Sequence, residues 1–350
     1  MKQQLLKFRL YLLAVLLVFS SSVLFAQTTP RWEKISSGNN FNVAISSDGK
    51  LWAWGQNDIG QLAQGDLQDE FNPQQIGTDS NWSMVACGLD HVVALKADNT
   101  LWTWGKNGKG QLGISSSGGY KNVPQQVPGT TWALVGAGWK SSFAIRNDGS
   151  LWAWGENNFG QLGLGNTADL NVPTLVGSKN WTSVDGGNSH TMAVDENNTL
   201  WAWGKNDKGQ LGDNSTVDKT SPVQISTDYF YNASCGADQS YAVSGGFYYG
   251  CGDYRSQTDS ALTIIKVNPL YEGGYVQAFN KTAIFIDENN GGVIYGIGDN
   301  SNGQFGNGTT ISSDTFVTLN KVYSSQFGFS VGMTHSAIIE GSPNYLLCMA

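Results

Sequence analysis

The chain has 350 residues, 40% of them hydrophobic and 14% charged, with a formal net charge of −8. Length and apolar content together support a large buried core, which excludes a disordered chain. The excess of acid excludes the broad cationic surface on which binding to nucleic acid or anionic lipid rests.

The first segment stands apart from the rest. Lys2, Lys7 and Arg9 precede an apolar run from Leu10 to Phe19, followed by SSSVLFA ending at Ala26. This is the order of a secretory signal peptide, and the run is shorter than the roughly 20 residues a bilayer-spanning helix needs. Residues 1–26 are expected to be removed, leaving 27–350 as a single domain in a secreted location, extracellular or periplasmic. Removal takes three of the 20 basic residues and none of the 28 acidic ones, so the remaining charge is 17 − 28 = −11. No later apolar stretch is long enough to span, so no stable membrane insertion is expected.

A repeat follows. LWAWG, LWTWG, LWAWG and LWAWG begin at Leu51, Leu101, Leu151 and Leu200, with weaker copies YYGCG, IYGIG and YLLCM from Tyr248, Ile294 and Tyr345. Before each comes a second element, such as WEKISSGNNFNVAI from Trp32 and WTSVDGGNSHTMAV from Trp181. Short apolar runs broken by Gly and by turns such as NDGS read as three strands. A fourth run starts at Pro73, Pro124, Pro173 and Pro222; proline cannot donate to a ladder, so this strand belongs at an edge. Four antiparallel strands per unit and seven units predict an all-β fold, a seven-bladed β-propeller. The small residues of VACG, VGAG, VDGG and ASCG place that run innermost, with the Trp pairs further out. The outer segment occurs only six times, so the last blade is expected to be incomplete unless 27–31 complete it.

LWAWGENNFGQLGLGN from Leu151 and GNSHTMAV from Gly187 resemble the repeat of the regulator of chromosome condensation family, over essentially all of residues 32–350. The resemblance implies the same propeller and no single activity. Eukaryotic members that exchange guanine nucleotide use a hairpin wedge between repeats; spacings of 50, 50 and 49 residues here leave no room for one. An exported bacterial inhibitor of the same fold, which grips an enzyme with a propeller face, is the closer analogue.

Aligned repeats place twelve of the thirteen tryptophans in three columns, which is packing; Trp139 is the exception. His91, His190 and His335 share one column with Phe41, Ser141, Gln239 and Thr282. Three histidines invite a metal site, but their units are spread around the ring and no Cys or carboxylate column accompanies them. They are expected to be turn histidines hydrogen-bonded to backbone. Ser189–His190 and His335–Ser336 are not nucleophile and base, because adjacent strand residues point to opposite faces. No metal, cofactor or enzyme activity is expected. The cysteines Cys87, Cys235, Cys251 and Cys348 fall in columns, with Cys251 at a Trp position, and are expected to be mostly free and buried.

The turn after each inner strand forms a rim, whose residues vary in size and charge while the frame does not. Variation on a rigid frame is what a binding surface shows. Trp139, Lys140, Phe41, Asp90, His91, His190, Asp238 and His335 are its candidate binding residues. The expected protein is an exported monomer that binds a protein, or alternatively a glycan or cell surface; nucleotide exchange is a weaker alternative.

Overall fold

The computed structural model describes residues 30–129, 131–253, 261–268, 274–287, 292–321, 328–340 and 345–349. The expected signal peptide, and residues 27–29 of the segment considered for closing the last blade, lie outside them. Tight turns break each repeat into strands: β1 (Trp32–Ser37), β2 (Phe41–Ser46), β3 (Leu51–Gly55) and β4 (Glu70–Gln75) in the first, and β5 (Trp82–Cys87), β6 (His91–Lys96), β7 (Leu101–Lys106) and β8 (Tyr120–Gln126) in the second. Then come β9 (Trp132–Ala137), β10 (Ser141–Arg146), β11 (Ser150–Gly155), β12 (Leu170–Gly186), β13 (His190–Asp195), β14 (Leu200–Gly204) and β15 (Lys219–Ser226). The weaker repeats give β16 (Phe230–Cys235), β17 (Gln239–Ser244), β18 (Phe247–Gly252), β19 (Ala261–Asn268), β20 (Gly274–Phe279), β21 (Thr282–Asp287), β22 (Val293–Gly298) and β23 (Ser313–Lys321). The last gives β24 (Gly328–Val331), β25 (Ser336–Glu340) and β26 (Tyr345–Met349). Among the described residues there is no helix.

These strands build a propeller of four-stranded antiparallel blades, β1 to β4, β5 to β8, β16 to β19 and β20 to β23, each in sequence order. A seven-stranded sheet joins β9 through β15 because β12 serves twice: Leu170–Leu175 lies on β11 and Trp181–Gly186 on β13. The last sheet, β24 to β26, has three strands. The runs that start at proline are the outermost, as the missing N–H requires. Inner strands β1, β5, β9, β12, β16, β20 and β24 neighbour one another in that order, and β24 returns to β1. Ring closure therefore joins the last repeat to the first through their inner strands.

The core lies between blades. Phe41, Val43, Ile45 and Leu51 of the first repeat pack with Trp82, Val92 and Trp104 of the second. The loop Gln fixes the seam: its backbone carbonyl accepts the indole N–H of the next repeat, Trp104 on Gln61 at 2.9 Å, Trp154 on Gln111 at 2.9 Å and Trp203 on Gln161 at 2.8 Å. The same carbonyls take the hydroxyls of Ser142 and Thr191. Cys251 occupies the corresponding Trp place, its thiol 3.4 Å from the Gln210 carbonyl. Cys87, Cys235 and Cys251 are free and buried; burial pushes the Cys87 thiol up to about 12. The side chain of Cys348 lies outside the described residues.

Gly155, at φ +103, ends β11 against the third turn, where a Cβ would stand 2.5 Å from the Lys140 carbonyl oxygen. Gly155→Ala is expected to lower the unfolding free energy by more than ~1 kcal/mol, with the urea midpoint as the measurement; an unchanged midpoint would contradict the close approach.

Candidate functional site: the channel mouth and its rim

Antiparallel pairing sets the β1–β2 type of turn and the long loop after each third strand at one end of the blades. Among the described residues, six backbone bonds link neighbouring inner turns. The N–H of Asn39 donates to the Leu89 carbonyl, Leu89 to Trp139, Trp139 to Gly187, Asn188 to Gly236, Ala237 to Asn280 and Met333 to Gly38. These bonds hold the mouth of the central channel rigid.

Trp139 is half-buried and stacks on Phe279, with ring centroids 5.9 Å apart and planes 21° from parallel. Repeats four and five separate the two residues along the chain, so the stack reaches across the mouth. Half-buried Leu89 and Met333 join the same cluster. Phe279 stands where the other units have Gly38, Gly88, Gly138, Gly187, Gly236 and Gly332. Glycine is needed there wherever a large ring follows: a Cβ on Gly88 would meet the His91 ring at 2.2 Å. The sixth unit has Thr282 in the histidine column, and there Phe279 meets the one tryptophan outside the repeat pattern. The sequence signal was present as a single non-glycine in a glycine column, and reading for tryptophan alone missed it.

Four of the candidate residues do not reach the surface. Phe41 and His91 are 0% exposed, His190 1% and His335 8%, because that column points into the seam between blades and not out from the turn. Each histidine Nε2 bonds a side chain of the following repeat: His91 to Ser142 Oγ at 2.8 Å, His190 to Ser240 Oγ at 2.8 Å and His335 to Asn42 Oδ1 at 2.9 Å. The expected partner was backbone; the structure supplies hydroxyl and amide groups. Ser142 and Ser240 donate to the Gln111 and Gln210 carbonyls, so the histidines are the donors. Nδ1 of His91 and of His190 has no hydrogen-bond partner. Burial lowers His91 and His190 to about 3 and His335 to about 4, which keeps all three neutral.

The charged candidates are accessible but paired. Asp90 meets Lys106 at 3.1 Å, Lys140 meets Glu156 at 3.9 Å and Asp238 meets Lys205 at 3.6 Å. Asn40 likewise donates to Gln56. Gln56, Lys106, Glu156 and Lys205 each open a long loop, so the rim charge and the loop charge change together. Part of the variability in the turns is therefore internal complementarity. Farther out at the same end, Phe71 is 92% exposed, Ile311 74% and Val217 63%, in or just after those long loops.

Below the mouth runs a channel of about 360 Å³ lined by the inner strands. Among the described residues no group of three or more His, Cys, Asp or Glu is placed to hold a metal ion.

The family model described as the RCC1-like domain matches residues 19–260. No curated protein matches the sequence significantly. Among solved structures the chain is similar to human WBSCR16, at 18% identity and a TM-score of 0.77, covering 88% of this chain and 86% of that one. It is also similar to yeast RCC1 (Prp20) in a structure bound to Kap60, at 19% identity and a TM-score of 0.72 over 87% of this chain and 78% of that one. A further structure of Prp20p from Saccharomyces cerevisiae, whose description concerns binding to Gsp1p and histones, has 18% identity and a TM-score of 0.74 over 87% and 81%.

Proposed function

The chain belongs to the RCC1-like domain family, and from that premise we propose that it is an exported, non-catalytic, seven-bladed propeller that binds a protein. The closed circuit of inner strands supports the blade count, and the charged, apolar and small-residue order of 1–26 supports export. The binding surface is the end that carries the inner turns and the long loops.

One observation carries this reading: Phe71, Val217 and Ile311 are among the most exposed large apolar side chains and all stand at that end. Single exposed apolar residues are ordinary; these three are carried by the first, fourth and sixth repeats and would act as separate anchors spread round one rigid end. Trp139 contributes its exposed edge at the centre, where truncation at an interface costs at least ~2 kcal/mol. The long loops supply the apolar anchors and the paired rim charges supply orientation.

The test is capture from secreted and envelope extracts with three baits: the unaltered protein, Phe71→Asp/Val217→Asp/Ile311→Asp, and Trp139→Ala. Melting curves establish that each is folded. A protein retained by the first bait and lost by the triple variant is the expected result. Equal retention by all three baits, or retention of glycan alone, overturns it.

A further inference from the structure

One residue of the channel has no counterpart in its column. Where the inner strands carry Ser36, Ala86, Gly136, Ser234, Gln277 and Ser330, β12 carries Asp185. The serines act as links to the next repeat: Ser36 Oγ accepts the Cys87 N–H, Ser234 Oγ that of Ala278, and Ser330 Oγ that of Ser37, at 2.8–2.9 Å. Asp185 does the same with one oxygen, Oδ2, which takes the Cys235 N–H at 2.9 Å and the Ser234 hydroxyl at 2.9 Å. The link alone needs only a hydroxyl; the carboxylate also takes the Gly186 N–H and still has acceptor capacity beyond these three donors. Ser183, two residues earlier on the same face of the strand, also lines the channel, and its hydroxyl is buried with no hydrogen-bond partner.

We infer that the channel is a binding site for a primary alkylammonium ion, held by Asp185 and Ser183 where β12 meets β16. The volume is in the range of small-molecule sites. The ammonium group donates to the carboxylate and to Ser183, and the alkyl chain lies along Met84 and Leu134, which are partly exposed and line the same channel. A divalent metal is a poor fit, because it takes six or more oxygens and a single carboxylate is present. The negative field of the chain draws cations toward the opening.

Burial raises the Asp185 carboxyl to about 6, the direction expected of an acid that lacks its cation. No Lys, Arg, His or Glu is among the described residues lining the channel. The titratable groups against Asp185 are thiols held neutral by burial, Cys235 on β16 and Cys87 across the channel on β5. β9 faces it with Gly136 and Ala137.

Calorimetric titration of the intact protein with n-propylammonium chloride near neutral pH tests this. Saturable binding is expected, weakened at least tenfold by Asp185→Asn, in line with loss of a charged hydrogen bond. Ser183→Ala, which leaves the Asp185 links in place, is expected to weaken it several-fold. Near pH 5 binding to the unaltered protein is expected to fall about tenfold, as the carboxyl takes up its proton. Absence of saturable heat, equal binding of n-propanol, or undiminished binding by both folded variants overturns the inference.

Discussion

Acidification from near neutral to about pH 5 is expected to remove about 4 kcal/mol of folding stability, about 1.9 for each of three histidines less about 1.3 returned by Asp185. The histidines are held neutral in the folded state, at about 3 for His91 and His190 and about 4 for His335, while the unfolded imidazole titrates near 6.5. Their contribution is complete above that value and is lost as pH falls through the window below it, because the unfolded chain binds the protons. Protonation in place would put a new N–H at Nδ1 of His91 and His190, where no acceptor waits. Asp185 works in the opposite direction: its carboxyl is raised to about 6, so folding gains as pH falls from there toward the ordinary carboxylate range. Urea midpoints at the two pH values measure the sum. His190→Gln should flatten the dependence, since Gln239 already occupies the same column and bonds the Asn280 carbonyl. A midpoint that does not move with pH would show that the histidines are open to water.

Trp154→Ala is expected to cost about 3–5 kcal/mol, as for other large aromatic deletions in cores, and Trp139→Ala only about 1.5–3 kcal/mol, an aromatic pair plus the burial of part of one ring. Trp154 is 0% exposed and ties its blade to the preceding one through Gln111; removal leaves a cavity in that seam. Trp139 is half-buried and leans on Phe279 alone among the aromatic rings. Denaturant unfolding of both variants measures the difference. Equal losses would mean that the mouth cluster is as much a part of the core as the seams are. The contrast also qualifies Trp139→Ala as a folded probe of the surface.

The repeat made most of the fold readable. The order of the strands, the outer position of the proline strand and the Trp place of Cys251 follow from periodicity, because each repeat repeats its environment; the proline strand itself begins three or four residues before its proline, at Glu70, Tyr120, Leu170 and Lys219. Direction within a turn was not readable in the same way. Phe41, His91, His190 and His335 vary from unit to unit like surface residues, but the variation reflects what each meets in the next repeat: Val92 with Phe41, Ser142 with His91, Ser240 with His190 and Asn42 with His335. The charge variation at Asp90, Lys140 and Asp238 is answered by Lys106, Glu156 and Lys205, which lie 16 residues on for the first two and in the preceding repeat for the third. Single-column reading sees variation and misses its partner.

Sequence by itself determined the architecture, because a repeat of alternating apolar residues and turn glycines can bury its faces only against copies of itself. It also marked Trp139 as a departure from its columns, whereas Phe279 and Asp185 stood out only once the ring was seen closed. Tertiary structure alone decided what these three residues do, since Trp139 and Phe279 meet across a mouth and Asp185 faces a channel only after the ring has closed. Distances between residues on different blades are set by closure and not by spacing along the chain. The same closure turned three histidines from surface candidates into buried donors and left Phe71, Val217 and Ile311 as exposed apolar side chains.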